Sequence, residues 1–140
     1  MYYNDDTIIY FKGEFIKAVD AKANPYDQTL HYGYGVFEGI RSYEINGEAK
    51  IFKAKEHFKR MEYSCKAMNI PYPFTNDELI EISYQVLEKN NLKNAYIRQL
   101  ITCTPNMTLV KATASELMID TWDWGTYLGY NLLKVTLALF

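Results

Sequence analysis

Residues 7–11 and 14–18 are two short runs rich in β-branched and aromatic side chains, split by Lys12-Gly13, and they read as a hairpin. A loop carrying Asn24-Pro25 and Asp27 follows, and then Gly33, Gly35 and Gly39 punctuate the aromatic stretch LHYGYGVFEGIRSY. Residues 36–43 and 50–53 form a second predicted hairpin around Asn46-Gly47, the strongest short turn signal in the chain. From Ala54 the period changes. Phe58, Met61, Cys65 and Met68 recur at helical spacing, with Lys55, Lys59, Glu62 and Lys66 on other faces, and Pro71 and Pro73 are expected to end that helix. Thr75 and Glu78 make a capping box for a second helix, whose inner face is Leu79, Ile82, Val86 and Leu87 and which stops at Asn90-Asn91. Residues 95–104 and 116–122 read as strands separated by Pro105-Asn106. Hairpins, two consecutive helices and further strands predict an α+β, two-layer domain with a mainly antiparallel sheet. The final YNLLKVTLALF, from Tyr130, ends on a bare apolar run. It is expected to pair as a strand or, preferably, to mark a chain cut short.

Composition narrows this picture. The chain has 140 residues, 49% apolar and 16% aromatic with 23% charged, enough for one domain with a real core. Fifteen Lys plus Arg against seventeen Asp plus Glu leave a net charge of -2, against the basic excess that nucleic-acid binding usually shows. Cys65 and Cys103 lie far apart with no Cys-x-x-Cys, and His31 and His57 stand in different segments, so neither a disulfide scaffold nor a metal site is expected. The acidic MYYNDDTIIY start is unlike a signal peptide, and the apolar end is too short to span a bilayer. These features predict a cytoplasmic protein with no membrane partner.

Candidate chemistry rests on a few side chains. Gly33-Tyr34-Gly35 matches neither dinucleotide nor Walker spacing, and reads as close packing or positive φ in a tight loop. Arg41 and Arg98 each lie inside a predicted strand beside aromatics, Phe37 and Tyr43 for the first, Tyr96 for the second. An arginine fixed there is a good fork for a carboxylate. Arg60 sits in the first helix three residues after His57, and helical spacing alone pairs it with Glu56. Tyr32, Tyr34, Tyr43, Tyr96 and Tyr127 cluster near the same segments, each offering an apolar wall with a polar tip.

LHYGYGVFEGIRSY, IFKAKEHFKRM, NAYIRQLI and WGTYLG together resemble the amino-terminal half of branched-chain amino-acid aminotransferases, fold-type IV enzymes that use pyridoxal 5'-phosphate. The resemblance runs over residues 8–129. It implies the small amino-terminal domain over residues 1–129, with 130–140 as the start of an interdomain connection or a truncated end. It further implies that Arg60 grips the cofactor phosphate and that Phe37 and Gly39 line the side-chain pocket. Tyr96 and Arg98 stand near the substrate, where the arginine meets the second carboxylate of glutamate, and Arg41 is grouped with these pocket residues. Tyr127 faces the same pocket, and Tyr32 reaches the neighbouring subunit of a homodimer. The implied partners are amino acids and 2-oxo acids. Three departures stand out. Gln99 replaces a proline usual after YIR and is expected to alter that strand's end; the loop after Thr104 is short and polar; and the imine-forming lysine belongs to a second domain, Lys134 coming too early for it. These residues alone are therefore expected to be inactive. D-amino-acid aminotransferases and aminodeoxychorismate lyase share the fold, and VFEGIR weighs against both; a non-catalytic fragment is the remaining alternative.

Overall fold

The computed structural model describes residues 2–125. Six strands and three helices follow the chain as β1 (Ile8–Phe11), β2 (Glu14–Lys17), α1 (Gln28–Tyr32), β3 (Gly35–Ile45), β4 (Glu48–Ile51), α2 (Ala54–Ala67), α3 (Asn76–Lys89), β5 (Ala95–Cys103) and β6 (Ser115–Trp122). The strands form one sheet in the order β2-β1-β6-β5-β3-β4, and every pairing is antiparallel. Both hairpins turn where the sequence places them. Lys12 and Gly13, like Asn46 and Gly47, take the positive φ angles that a two-residue turn between right-twisted strands demands.

Strand alternation sorts the side chains into two environments. Ala95, Ile97, Gln99, Ile101 and Cys103 of β5 are buried, as are Leu117, Ile119 and Thr121 of β6 and Val36, Glu38, Ile40 and Ser42 of β3. Phe58, Met61, Cys65, Leu79, Val86 and Leu87 of α2 and α3 are buried in the same core. The intervening residues, Phe37, Gly39 and Arg41 of β3, Tyr96 and Arg98 of β5, and Met118, Asp120 and Trp122 of β6, lie on the opposite face. Because β4 pairs only with Ser42–Ile45, the first part of β3 has β5 on one side and, among the described residues, no strand on the other.

The two-layer α+β expectation matches this architecture, and four local expectations need correction. α1, a single helical turn, occupies what reads as loop; Thr29 Oγ1 fixes it by donating to Tyr34 O at 2.6 Å and accepting from Cys103 N at 2.7 Å. α2 ends before its prolines, because Asn69 turns left-handed at φ 54 and lets Ile70 N bond Cys65 O at 2.8 Å. Met68 then falls outside the helix and is exposed rather than core. Gln99 does not disturb a strand end, since it sits in mid-strand with Glu38 on one side and Ile119 on the other. The expectations for Tyr127 and for residues 130–140 lie outside the described residues.

Candidate functional site

On the open face, Gly39 and Arg98 are directly opposed, as are Arg41 and Tyr96. The Tyr96 side chain leans diagonally over Gly39, so that a Cβ there would stand 2.0 Å from Tyr96 Oη. Glycine at 39 is thus a steric necessity and not a flexible joint. The Tyr96 ring is edged by Trp122 at 4.9 Å and Trp124 at 5.0 Å between centroids. Its hydroxyl accepts from Arg98 Nε at 3.3 Å and Nη2 at 2.9 Å. The Arg98 guanidinium lies over the Phe37 ring, 4.5 Å from its centroid, and Phe37 itself is 59% exposed. A delocalised cation held flat on an aromatic and pinned by a hydroxyl loses little further freedom when it binds an anion. Arg41 is engaged differently: its Nη1 donates to Trp124 O at 2.5 Å and Gly125 O at 3.1 Å, strapping the chain beyond β6 against the sheet.

Arg60 lies across β3 from this group. Its Nε donates to Glu38 Oε1 and its Nη2 to Glu38 Oε2, both at 2.6 Å, while His57 Nδ1 bonds Glu38 Oε2 at 2.9 Å. The pairing with Glu56 that helical spacing favours is therefore replaced by a bidentate fork to a strand residue. Burial of Glu38, 5% exposed, pulls its pKa upward, yet hydrogen bonds from Arg60 and His57 outweigh that and hold the carboxyl below the usual range. The bonded carboxylate in turn raises the Arg60 value further. Arg60 keeps 64% of its side chain exposed, and Nη1 makes no hydrogen bond among the described residues. A buttressed guanidinium with free donors facing solvent fits a phosphate dianion.

The remaining predicted residues scatter. Tyr32 lies on α1 and donates to Met107 O at 3.1 Å; Gln28 Nε2 donates to Thr108 O and Val110 O, so α1 anchors the loop after Thr104. Tyr34 donates to Met68 O and Tyr43 packs on Phe52, both away from Arg98. Residues outside the predicted set also belong to the site: Glu38 and His57 as the support of Arg60, and Trp122, Trp124 and Asp120 beside Arg98. A cavity of about 530 Å³ opens there, its walls including Arg98, Met118, Asp120, Trp122 and Trp124. Only the strand alternation, counted outward from Arg98, could have exposed Asp120 and Trp122 beforehand. The described residues contain no cluster of His, Cys, Asp and Glu fit for a metal, and both cysteines are buried free thiols, burial pushing Cys65 up to about 11.

The profile of the amino-transferase class IV family matches residues 35–138. The branched-chain-amino-acid aminotransferase of Pseudomonas aeruginosa is 34% identical over 131 residues, 92% of this chain and 43% of that protein. The crystal structure of the Escherichia coli branched-chain amino acid aminotransferase superposes with a TM-score of 0.85 at 36% identity, covering 91% of this chain and 43% of that one. The branched-chain aminotransferase from the thermophilic archaeon Thermoproteus uzoniensis, with norvaline, gives 0.82 at 28% identity, over 87% of this chain and 42% of its own. The chain therefore spans less than half the length of the relatives it matches.

Proposed function

Since the chain belongs to the amino-transferase class IV family, we propose that the protein it forms part of is a branched-chain amino-acid aminotransferase. It would exchange the amino group between leucine, isoleucine or valine and 2-oxoglutarate, with pyridoxal 5'-phosphate as cofactor. The observation that carries this reading is the open-face group. An aromatic wall of Phe37, Tyr96 and Trp124 has one arginine, Arg98, lying across its edge. Such a surface receives an apolar side chain against the rings and a second carboxylate at the guanidinium, which a pocket serving both substrates requires.

When bound, pyridoxal phosphate supplies the electron-withdrawing ring that makes an amino acid's Cα proton removable. The chain's own residues do the holding. Arg60 takes the phosphate, with its direction fixed by Glu38 and the charge of that carboxylate shared with His57. Arg98 and Tyr96 orient the distal carboxylate, Gly39 leaves Tyr96 room to lie flat, and Phe37 excludes water from the side chain's path. Arg41 and Tyr127 complete the pocket by resemblance, Arg41 through the Trp124 strap. The loop that Tyr32 holds by Met107 O exposes Met107, Leu109 and Val110, and this surface suits contact with a second subunit in a homodimer. Free buried thiols suit a cytoplasmic setting. Among the described residues no lysine lines the cavity beside Arg98. The imine-forming lysine is assigned to a part of the protein outside these 140 residues, which alone would then lack activity.

The test uses the intact protein mixed with pyridoxal phosphate. An imine absorbance band that shifts on adding leucine, with glutamate formed from 2-oxoglutarate, is the expected result. Turnover of D-alanine with none of leucine would overturn the branched-chain assignment. Arg60→Ala should weaken cofactor retention about tenfold or more, the worth of a charge-assisted bidentate contact. Because it also strips a partner from buried Glu38, Arg60→Lys, which keeps the charge, separates the two effects. Unchanged cofactor affinity in both variants would remove Arg60 from the phosphate site.

A further inference from the structure

Asp120 is the Cα partner of Arg98 across β5 and β6, on the same open face, yet no ion pair or hydrogen bond joins them. Arg98 commits Nε and Nη2 to Tyr96 Oη and lies over Phe37, which draws its guanidinium toward β3 and away from β6. Asp120 is left behind in the wall of the 530 Å³ cavity, where its Oδ1 is buried without a hydrogen-bond partner. A carboxyl stranded there is costly, and direct pairing with the opposed arginine would be the ordinary remedy. The geometry instead holds the cation beside the carboxyl but turned from it, within reach of its field.

We propose that Asp120 is a specificity-determining residue, a counter-charge that weakens the hold of Arg98 on the distal carboxylate of a dicarboxylic substrate while leaving apolar substrates unaffected. This rests on the reading that Arg98 receives that carboxylate. An ionised Asp120 repels the incoming anion and cancels part of the attraction of Arg98. A protonated Asp120 does neither, and its O–H becomes a donor to the same anion. Dicarboxylate binding at neutral pH therefore takes up a proton from solvent, whereas binding of a branched aliphatic acid does not. Burial raises the Asp120 carboxyl to about 6, with Arg98 and a hydrogen bond from its own backbone N–H partly opposing, so this change falls in an accessible range. The other charged or titratable groups around it are Tyr96 on β5, and Tyr2 and Tyr3 from the N-terminal segment, which line the same cavity. Farther along β6 come Glu116, already paired with Lys12 at 2.5 Å, and Asp123 just past the strand, which lines a neighbouring cavity. Asp120 is the one carboxyl among them that is the cross-strand partner of Arg98.

The experiment measures calorimetric binding of two unreactive probes to the intact, cofactor-loaded protein between pH 5.5 and 8. The probes are 4-methylpentanoate and 4-sulfobutanoate, whose distal sulfonate stays ionised throughout. The ratio of the two dissociation constants cancels effects on the shared carboxylate end. The expected result is that lowering the pH favours 4-sulfobutanoate on the order of tenfold, as removal of one nearby, partly screened charge gives. Asp120→Asn should abolish that pH dependence and fix the ratio at its low-pH value, and Asp120→Ser should do the same if the amide disturbs folding. A ratio in either variant that still follows pH as in the parent would overturn the proposal. Arg98→Met serves as the control on the underlying reading. If it leaves 4-sulfobutanoate affinity unchanged, the dicarboxylate role of Arg98 falls, and the role of Asp120 with it. If it abolishes the affinity while Asp120→Asn does nothing, only the role of Asp120 falls.

Discussion

A methyl group added at position 39 would lie 2.0 Å from Tyr96 Oη and 2.7 Å from its Cζ, and the ring has little room to retreat between Trp122 and Trp124. Gly39→Ala should therefore swing Tyr96 off the sheet, release Arg98 from its hydroxyl, and cost about 1–3 kcal/mol as overpacking does. Urea denaturation with near-ultraviolet circular dichroism checks both parts; an unchanged aromatic spectrum would show that the ring stays in place. Gly13, by contrast, meets nothing within 4 Å at its added Cβ, and its demand is set by φ 98 alone. The same letter carries two different requirements, and the sequence does not say which. Gln99 makes a related point. It is fully buried and neither end of its amide has a partner, though it stands opposite Glu38 on the helix-facing side. Alternation with Ile97 and Ile101 puts it on the apolar face, against what its own polarity suggests, and the burial comes from helices packed over β5.

Elements whose boundaries are written by local chemistry were legible, and those written by tertiary contact were not. Thr75 Oγ1 accepts from Glu78 N at 3.2 Å while Glu78 Oε2 accepts from Thr75 N at 3.5 Å, the reciprocal pair anticipated from the T-x-x-E spacing. Thr75→Ala should destabilise the protein by about 1 kcal/mol, read as a lowered denaturation midpoint with an unchanged slope. A shift within error would mean that water caps α3 equally well. α2 has no such cap: Lys53 precedes it in left-handed conformation without a side-chain bond, and Asn69 closes it by the same left-handed device that Asn91 uses after α3. Asparagine tolerates that conformation, so Asn69 was a stop signal as strong as the prolines behind it. α1 is too short to show a period and depends on Thr29 and Gln28 reaching the strand and the loop.

For the molecule as a whole, most residues of the candidate site could be named from motifs, but their division between two faces required the register of β3 against β5. Arg60, Phe37, Gly39, Tyr96 and Arg98 come from the motifs; Glu38, Asp120 and the tryptophans come from the pairing. The half-buried Asp120 among them also gives the whole fold a pH signature. Asp120 titrates at about 6 in the folded protein against 3.8 ordinarily, so the folded state binds its proton more tightly than the unfolded chain. Its contribution is intact below the unfolded value and is lost as pH rises through 6, on the order of 3 kcal/mol. Asp120→Asn should flatten that fall in urea midpoints measured from pH 4 to 7, and a parallel curve in parent and variant would place the titration elsewhere.

β3 carries Glu38, which holds Arg60, between Phe37, which underlies Arg98, and Gly39, which makes room for Tyr96, so the setting of both arginines depends on the odd or even place of each residue on one strand. Heredity meets this as arithmetic. Gaining or losing a single codon between Gly35 and Arg41 would turn the carboxylate outward and a neighbour inward, undoing the support of both arginines at once. Changes in this segment are therefore confined to replacements at fixed length.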